Sequence, residues 1–342
     1  MKSNATVSEL KVLNTIRGLA ALMVLVSHYS NSSKIFDRLL GQGGGQVGVM
    51  VFFVLSGFLI AYIYFHREIN SLESKKYLLA RAARVVPLYY LVSITSFIAV
   101  TGFDSRFTFQ VDSVSDLAIH LFFLHGKSLL WTIPVEIQFY LLALLLWYLM
   151  QHRTTLFWLL VVTVLLVVFV WQPSLSVNWG PHDLTFAIIK SLPFFVAGAV
   201  LGAHYHRLIH WPKSHWWLLS MLLLPLMYPN IFTAVTGSQN TLWYSVTTWS
   251  AVLVFFVSWV FLLPASNRWV NNKVGDFLGQ ISYSMYLLHY PIILLMKPHL
   301  VAAPLLMFPV FLAVVLGLSW LVFHGFEKPA QDWLKRRFRP TS

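Results

Sequence analysis

The sequence contains no cysteine and few charged residues. Without cysteine, disulfide bonds, thiolate metal sites and a cysteine nucleophile are all excluded. Charged side chains make up 11% of the 342 residues, whereas a soluble domain carries about 25%. Hydrophobic residues reach 58%, and the mean hydropathy is +0.69. This composition is typical of a polytopic membrane protein and excludes an ordinary soluble domain.

The sequence also lacks the patterns of a nucleic-acid-binding protein and of a metal site. The formal net charge of +12 comes from Lys and Arg spread over the loops between apolar segments. That distribution matches the bias of membrane proteins toward basic cytoplasmic loops. None of the 13 histidines has a metal-ligand spacing with a supporting carboxylate. Since no internal repeat is visible either, we expect one membrane domain with no metal and no nucleic-acid partner.

Apolar segments long enough to cross a bilayer predict an all-α fold with about ten transmembrane helices. The more basic loops, above all 67–84, and the basic tail predict that both termini are cytoplasmic. We divide the chain into a cytoplasmic segment 1–12, a membrane domain 13–326 and a basic cytoplasmic tail 327–342. The predicted spans are 13–31, 47–66, 85–102, 133–150, 155–171, 185–204, 215–232, 242–263, 277–296 and 303–325.

The first predicted span carries an arginine near one end and a histidine near the other. Arg17 and His28 are eleven residues apart, so at about 100° and 1.5 Å per residue they share a face, roughly 16 Å apart along the axis. Ionisable side chains within a membrane are costly, and they face a protein cavity rather than lipid. The predicted orientation places Arg17 toward the cytoplasmic surface and His28 toward the outer one. The spacing therefore predicts a site that extends across much of the membrane.

Glu136 is exceptional among the 12 acidic residues because it lies inside a predicted span. The predicted topology places it on the outer side, at a depth similar to that of His28. A carboxylate that accepts a hydrogen bond from one imidazole nitrogen leaves the other nitrogen free to take a proton from a hydroxyl. We therefore predict that His28 and Glu136 form a catalytic pair. Ser56, which precedes a glycine in another apolar span, is interpreted as a helix-packing residue.

Two further arginines are expected at the cytoplasmic surface. Arg81 and Arg84 are three residues apart, on one helical face, just before Pro87 and the third predicted span. Together with Arg17 they form a cationic mouth suited to phosphates, which arginine binds through paired hydrogen bonds. A nucleotide-bearing donor such as a coenzyme A thioester fits this mouth. His289 lies in a span with many hydrogen-bonding groups, and we expect it to line the cavity.

Seven short motifs are spread from one end of the predicted membrane domain to the other. They are Arg17 with His28, the segment 48–60, Arg81 and Arg84 with Pro87, Trp131 to Tyr140, and the segments 192–198, 282–289 and 326–329. At these motifs the chain resembles the acyltransferase-3 family of bacterial membrane O-acyltransferases, which carries them in the same order. One motif alone is weak evidence, whereas seven in order are specific. Thr132 stands where the family usually has serine, and it keeps the hydroxyl.

The resemblance implies transfer of an acyl group, most often acetyl, from cytosolic acyl-CoA to a sugar hydroxyl. The acceptor would be an exopolysaccharide, an O-antigen or a similar glycan, lipid-linked forms included, at the outer face of the bacterial inner membrane. Acyl-CoA is then a co-substrate, and no permanently bound cofactor is expected. The esterase-like domain that some relatives carry after the last span is expected to be absent. The acceptor and the acyl chain stay open.

Combined with the reaction that the resemblance implies, the candidate residues take the following predicted roles. His28, oriented by Glu136, is either a general base or a brief carrier of the acyl group. The aromatic side chains near the outer surface are candidates to stack on a sugar ring. The predicted groups are Arg17, Arg81 and Arg84 for the CoA phosphates, His28 and Glu136 for catalysis, and Trp131, Tyr140 and His289 for contact with the acceptor.

Two alternatives belong to other functional classes. A transporter or flippase for a lipid-linked saccharide would use the same buried charges as a relay, but transporters often carry inverted repeats and the sequence shows none. A structural partner of a polysaccharide-assembly complex would not need Arg17 and His28 on one helical face. The sequence thus favours an enzyme over both alternatives.

Overall fold

The computed structural model describes residues 7–103, 108–173, 176–179, 182–185 and 187–340. Helices supply nearly all the regular structure in these ranges, in agreement with the predicted helical fold. The α-helices are α1 Val7–Ser33, α2 Gly44–Tyr64, α3 Ser71–Phe103, α4 Val114–Leu121, α5 Thr132–His152, α6 Thr154–Leu166, α7 Ile188–Ala203, α8 Tyr205–Leu208, α9 Leu223–Leu226, α10 Pro229–Thr236, α11 Val246–Val257, α12 Lys273–Ala302, α13 Pro304–Val322 and α14 Lys328–Arg337.

Other helical types extend or connect these α-helices. Short 3₁₀ segments cover Ile35–Arg38, Ser128–Trp131, His215–Leu222 and Leu242–Tyr244. Three π-helical segments, Val167–Trp171, Ser258–Leu262 and Phe323–Glu327, continue α6, α11 and α13. An antiparallel hairpin of β1 (Ser176–Trp179) and β2 (His182–Thr185) lies between the fifth and sixth predicted spans. The sequence analysis predicted only helices and therefore missed this hairpin.

The helices confirm a multi-pass membrane protein. Within the described ranges, seven helices are long and apolar enough to cross a membrane. The pair His215–Leu226 and Pro229–Thr236, bent by 97°, makes an eighth if it forms one broken span. The apolar helices Ile188–Ala203 and Val246–Leu262 are shorter. The count of ten spans and the cytoplasmic placement of both termini stay predictions.

Helix α2 lies at the centre, packed against α1, α5, α7 and α11. Its contact with α7 is backbone to backbone: a Cβ atom on Gly57 would lie 2.0 Å from the carbonyl oxygen of Phe195. In the same way, a Cβ on Gly198 would lie 2.0 Å from the carbonyl oxygen of Val54. Small residues permit this close approach between membrane helices, where dispersion contacts replace the hydrophobic effect as the driving force. Only glycine fits at these two positions.

A second close contact joins α1 to α12, although the two helices are far apart in the sequence. A Cβ on Gly18 would lie 2.6 Å from Cβ of Leu278, and a Cβ on Gly279 would lie 2.3 Å from the carbonyl oxygen of Asn14. The Asn14 amide also donates a hydrogen bond of 2.6 Å to Asp276. This packing holds the two helices in register, and it brings the histidines of α1 and α12 together.

Helices α6, α13 and α14 lie at the margin of the helix bundle. Helices α6 and α13 expose most of their apolar side chains, as membrane helices that face lipid do. Helix α14 packs against α3 and carries Lys335, Arg336 and Arg337 in its last turn. Glu327, which ends the π-helical segment before α14, is buried and accepts a 2.5 Å hydrogen bond from Ser284 of α12. The basic segment is therefore tied to the helix bundle.

Candidate active site

Two cavities lie along α1, and each contains one of its two ionisable residues. The first, named here the arginine cavity, has a volume of about 70 Å³ and is lined by Arg17. The second, the histidine cavity, has a volume of about 330 Å³ and is lined by His28. The two residues share a helix as predicted, but their side chains open into different spaces.

The arginine cavity brings together the three arginines that the sequence assigned to one cationic mouth. Arg17 from α1 and Arg81 and Arg84 from α3 all line it, together with Glu136 from α5. Among the described residues, none of the three arginines has a carboxylate within 4.0 Å of a guanidinium nitrogen, and Nε of Arg81 is buried without a hydrogen-bond partner. Buried donors that lack partners are costly. The guanidinium groups of the arginine cavity therefore have donors available for an anionic ligand.

Glu136 is held from two helices within the same cavity. Its Oε1 accepts a 3.2 Å hydrogen bond from the hydroxyl of Ser56 in α2 and a second one from the hydroxyl of Tyr140, one turn further along α5. Ser56 is thus more than a packing residue, because it fixes this carboxylate. Tyr140, predicted for contact with the acceptor at the outer surface, is instead buried beside Glu136 and away from the histidine cavity.

The structure does not bring the predicted pair of His28 and Glu136 together, because the two residues lie at different levels along α2. The hydroxyl of Ser27, next to His28, accepts a 2.8 Å hydrogen bond from the backbone of Gly45 at the start of α2. Glu136 is bonded to Ser56, eleven residues later in the same helix. At 1.5 Å per residue this is a separation of roughly 16 Å. Hydropathy gives the position of a residue along its own apolar segment, and it therefore did not predict this offset between residues of two different helices.

His28 instead contacts a second histidine. Its Nδ1 lies 3.1 Å from Nε2 of His289 in α12, and the two rings are stacked with centroids 5.2 Å apart. Nδ1 of His289 lies 3.1 Å from the carbonyl oxygen of Met285. His289, predicted to contact the acceptor, is buried and does not line the histidine cavity.

These contacts assign the protons on both rings. A carbonyl oxygen only accepts, so the proton of a neutral His289 is on Nδ1, and its Nε2 is an acceptor. That acceptor faces Nδ1 of His28, which therefore carries the proton of the His28 ring. Nε2 of His28 is left with a free lone pair. A neutral imidazole fixed in this tautomer can take a proton from a hydroxyl.

The histidine cavity and the arginine cavity share part of their walls. Val49 of α2 and Tyr286 of α12 line both. The Tyr286 hydroxyl donates a 2.9 Å hydrogen bond to the carbonyl oxygen of Leu129 and accepts a 3.0 Å bond from Thr132. This shared wall is therefore fixed to the segment that leads into α5.

Trp131, the other aromatic residue predicted to contact the acceptor, lines the histidine cavity. It also lines a neighbouring space of about 280 Å³, named here the side cavity, with His125, Ser128 and Gln138. Lys190 from α7 lines both spaces and was missed by the sequence reading. Its signal was present in the sequence as a single basic residue within an apolar segment. Among the described residues, no group of three His, Asp or Glu side chains could hold a metal ion.

Comparison with known families identifies the protein's relatives. A family model described as an acyltransferase domain matches residues 10–324. The chain belongs to the acyltransferase-3 family. The match covers every helix that lines the arginine cavity and the histidine cavity, and it favours acyl transfer over transport. The comparison with solved structures gives no significant match.

Three curated relatives illustrate the family. The chain is 24% identical to a Bacillus subtilis protein provisionally named peptidoglycan O-acetyltransferase YrhL, over 95% of this chain and 55% of that protein. It is 27% identical to the peptidoglycan O-acetyltransferase OatA of Listeria monocytogenes, over 84% of this chain and 50% of that protein. An O-acetyl transferase of Shigella phage Sf6 is 29% identical over 38% of this chain and 44% of its own length. The chain spans about half the length of these relatives.

Proposed function

We propose that this protein is a membrane O-acyltransferase that moves an acyl group, acetyl above all, from cytosolic acyl-CoA to a hydroxyl of a cell-surface or exported glycan. The observation that carries the proposal is the tautomer of His28: His289 binds its Nδ1 and leaves Nε2 free. His28 lines the histidine cavity, which shares part of its wall with the cavity that the three arginines line. The relatives' names support acetyl as the group and a glycan as the acceptor. The plasma membrane, with both termini in the cytoplasm, is the proposed location.

The arginine cavity is the proposed donor site. Arg17, Arg81 and Arg84 bring three positive charges and Glu136 one negative charge, so an anionic ligand is favoured. Planar guanidinium groups bind phosphate through paired hydrogen bonds, and the unpartnered Nε of Arg81 has such a donor available. The phosphates of acyl-CoA would lie at these arginines, with the pantetheine arm directed toward the wall formed by Val49 and Tyr286. In this proposal Glu136 fixes the cavity wall and does not orient the base.

The histidine cavity is the proposed site of chemistry. The acceptor hydroxyl donates its proton to Nε2 of His28 while its oxygen attacks the thioester carbonyl. The new carbon–oxygen bond forms, the carbon–sulfur bond breaks, and the CoA thiolate leaves with the electron pair of that bond. The thiolate then recovers the proton from the imidazolium. His289 is the positioning residue, since its Nε2 accepts the hydrogen bond that Nδ1–H of His28 donates.

Removal of the base tests this assignment. In the full-length protein reconstituted in lipid nanodiscs, His28→Ala should reduce acetyl transfer from radiolabelled acetyl-CoA to a de-O-acetylated glycan by about 10²–10⁴-fold. His299→Ala, at an exposed position of α12, is the matched control and should keep native activity. Acetyl-CoA binding should be unchanged in both variants, because the arginine cavity is separate.

Two results would contradict the proposal in different ways. Near-native transfer by the His28→Ala variant would remove His28 from the mechanism. A labelled acyl group bound covalently to the native protein in the absence of acceptor, and lost in His28→Ala, would make His28 the acyl carrier and not the base. The native protein should be denatured rapidly at neutral pH before the bound label is counted, because an acyl-imidazole would hydrolyse in acid.

A further inference from the structure

Lys190, in the first turn of α7, packs against two adjacent tryptophan rings. Its Nζ is 5.0 Å from the centroid of Trp131 and 5.5 Å from that of Trp243. The two indoles meet edge to face at 5.7 Å, and the indole N–H of Trp243 donates a hydrogen bond to Gln46. These contacts hold the two rings in place, and cation–π attraction holds the ammonium group beside both of them.

This ammonium group lies where two cavities meet. Lys190 and Trp131 line both the histidine cavity, of about 330 Å³, and the side cavity, of about 280 Å³. Each volume is near the lower end of the range for ligand sites, about 300–1,000 Å³. Because His28 lines the first cavity, a ligand with a hydroxyl at His28 can extend past Trp131 and Lys190 into the second.

The charge balance of these cavities favours an anion. Among the residues that line them, Lys190 is the one Lys or Arg, and there is no Asp or Glu. In the part of the chain that the structure describes, Lys190 has no carboxylate within 4.0 Å. A lysine within an apolar helix loses hydration, and indole faces offset only part of that loss. The three N–H donors of the ammonium group need an acceptor, which a bound carboxylate or phosphate supplies.

We propose that Lys190 binds an anionic group, a carboxylate or a phosphate, of the acceptor glycan, and that Trp131 separates two sugar subsites. The inference rests on the proposed function, which places the reacting hydroxyl at His28. It adds the chemical class of the acceptor: a negatively charged saccharide of at least two units. Stacking on aromatic rings binds sugars of many kinds, whereas the ammonium group selects for charge.

Equilibrium binding to the full-length protein in nanodiscs, without acetyl-CoA, tests the site directly. The first probe is the disaccharide N-acetylglucosaminyl-N-acetylmuramic acid, which has a free carboxylate, compared with the same disaccharide after reduction of that carboxylate to an alcohol. The second is a neutral disaccharide on a polyprenyl diphosphate, compared with its dephosphorylated alcohol form. The variants are Lys190→Gln, Lys190→Arg and, as the matched control, Lys297→Gln at an exposed position of α12.

For the native protein we expect one anionic probe to bind about 10- to 100-fold more tightly than its neutral form, as a charge-assisted hydrogen bond provides. Lys190→Gln should abolish that preference and leave the affinity for the neutral form and for acetyl-CoA unchanged. Lys190→Arg and Lys297→Gln should keep the preference. A preference for the carboxylate probe identifies an acidic sugar, and one for the diphosphate probe identifies a lipid-linked acceptor.

The proposal is overturned if the native protein and the Lys190→Gln variant treat both anionic probes alike, including the case in which neither binds. Acetyl transfer, measured separately, keeps this result distinct from a failure of the proposed function. Binding that depends on Lys190 without transfer from acetyl-CoA would leave the anion site standing and reject the enzymatic assignment. Acetyl transfer together with probe binding that does not depend on Lys190 would leave the enzymatic assignment standing and reject the anion site.

Discussion

The contact between the two histidines gives the sharpest prediction. His289 fixes the tautomer of His28 through a 3.1 Å hydrogen bond and is itself fixed by the carbonyl oxygen of Met285. Replacement of His289 by alanine removes the acceptor that faces Nδ1 of His28. The His28 ring is then free to rotate or to move its proton to Nε2, and a ring protonated on Nε2 cannot act as the base.

The size of the effect follows from the hydrogen bond. When His28 takes the hydroxyl proton it becomes an imidazolium ion, so its bond to Nε2 of His289 becomes charge-assisted. Such a bond contributes about 1.5–3 kcal/mol, which corresponds to a fall in kcat of about 10- to 150-fold. His289→Gln can present an oxygen near the position of the lost Nε2, and we expect it to recover part of the rate.

Initial rates measured against acetyl-CoA and against acceptor distinguish a positioning residue from a structural one. For His289→Ala we expect a lower kcat with an unchanged KM for acetyl-CoA, since the arginines proposed to bind the donor line another cavity. His299→Ala, on the exposed face of the same helix, should be silent. A kcat for His289→Ala within about twofold of native, a change too small for the loss of one such bond, would refute the reasoning. Equal losses in the Ala and Gln variants together with a lower Tm would assign His289 to packing alone.

Two further predictions concern the donor site and the helix packing. Arg81→Ala and Arg84→Ala should each weaken acetyl-CoA binding by about tenfold or more in calorimetric titrations. Lysine at either position should restore part of the affinity, and Arg153→Ala, at an exposed position, should have no effect. Unchanged affinity in the alanine variants would mean that these arginines are only topological anchors. Gly198→Ala should lower the Tm, because its new Cβ would lie 2.0 Å from a carbonyl oxygen of α2, at a cost of about 1–3 kcal/mol. Gly317→Ala in α13, where a Cβ meets nothing within 4 Å, should not lower the Tm, and equal effects of the two substitutions would contradict the packing argument.

Helical periodicity was enough to predict the residues that share a helix face. Arg17 and His28 lie on one helix, and Arg81 and Arg84 line one cavity, because 3.6 residues per turn is a fixed property of the backbone. The predicted convergence of these arginines with Arg17 also needed only the topology, which places the start of α1 and the start of α3 at the same surface. These parts of the site depend on local geometry and on the direction in which each helix runs.

The sequence did not predict which helices pack side by side. His28 and His289 are 261 residues apart, and the approach of α1 to α12 depends on Gly18 and Gly279, whose partners a single sequence does not name. Glu136 was assigned to His28 because both lie near the outer end of an apolar segment. The 3₁₀ turn Ser128–Trp131 and the first turn of α5 carry its side chain deeper, where Ser56 fixes it.

The separation of Glu136 from His28 changes how the two ends of the reaction are coupled. If a carboxylate oriented the base, donor and acceptor would share one charged site. In the structure, the carboxylate lies with the arginines, and the proposed base is held by His289 on the other side of Val49 and Tyr286. Under the proposed function, the phosphates of the donor and the general base therefore lie in different spaces, and the thioester end of the donor is the part that reaches His28.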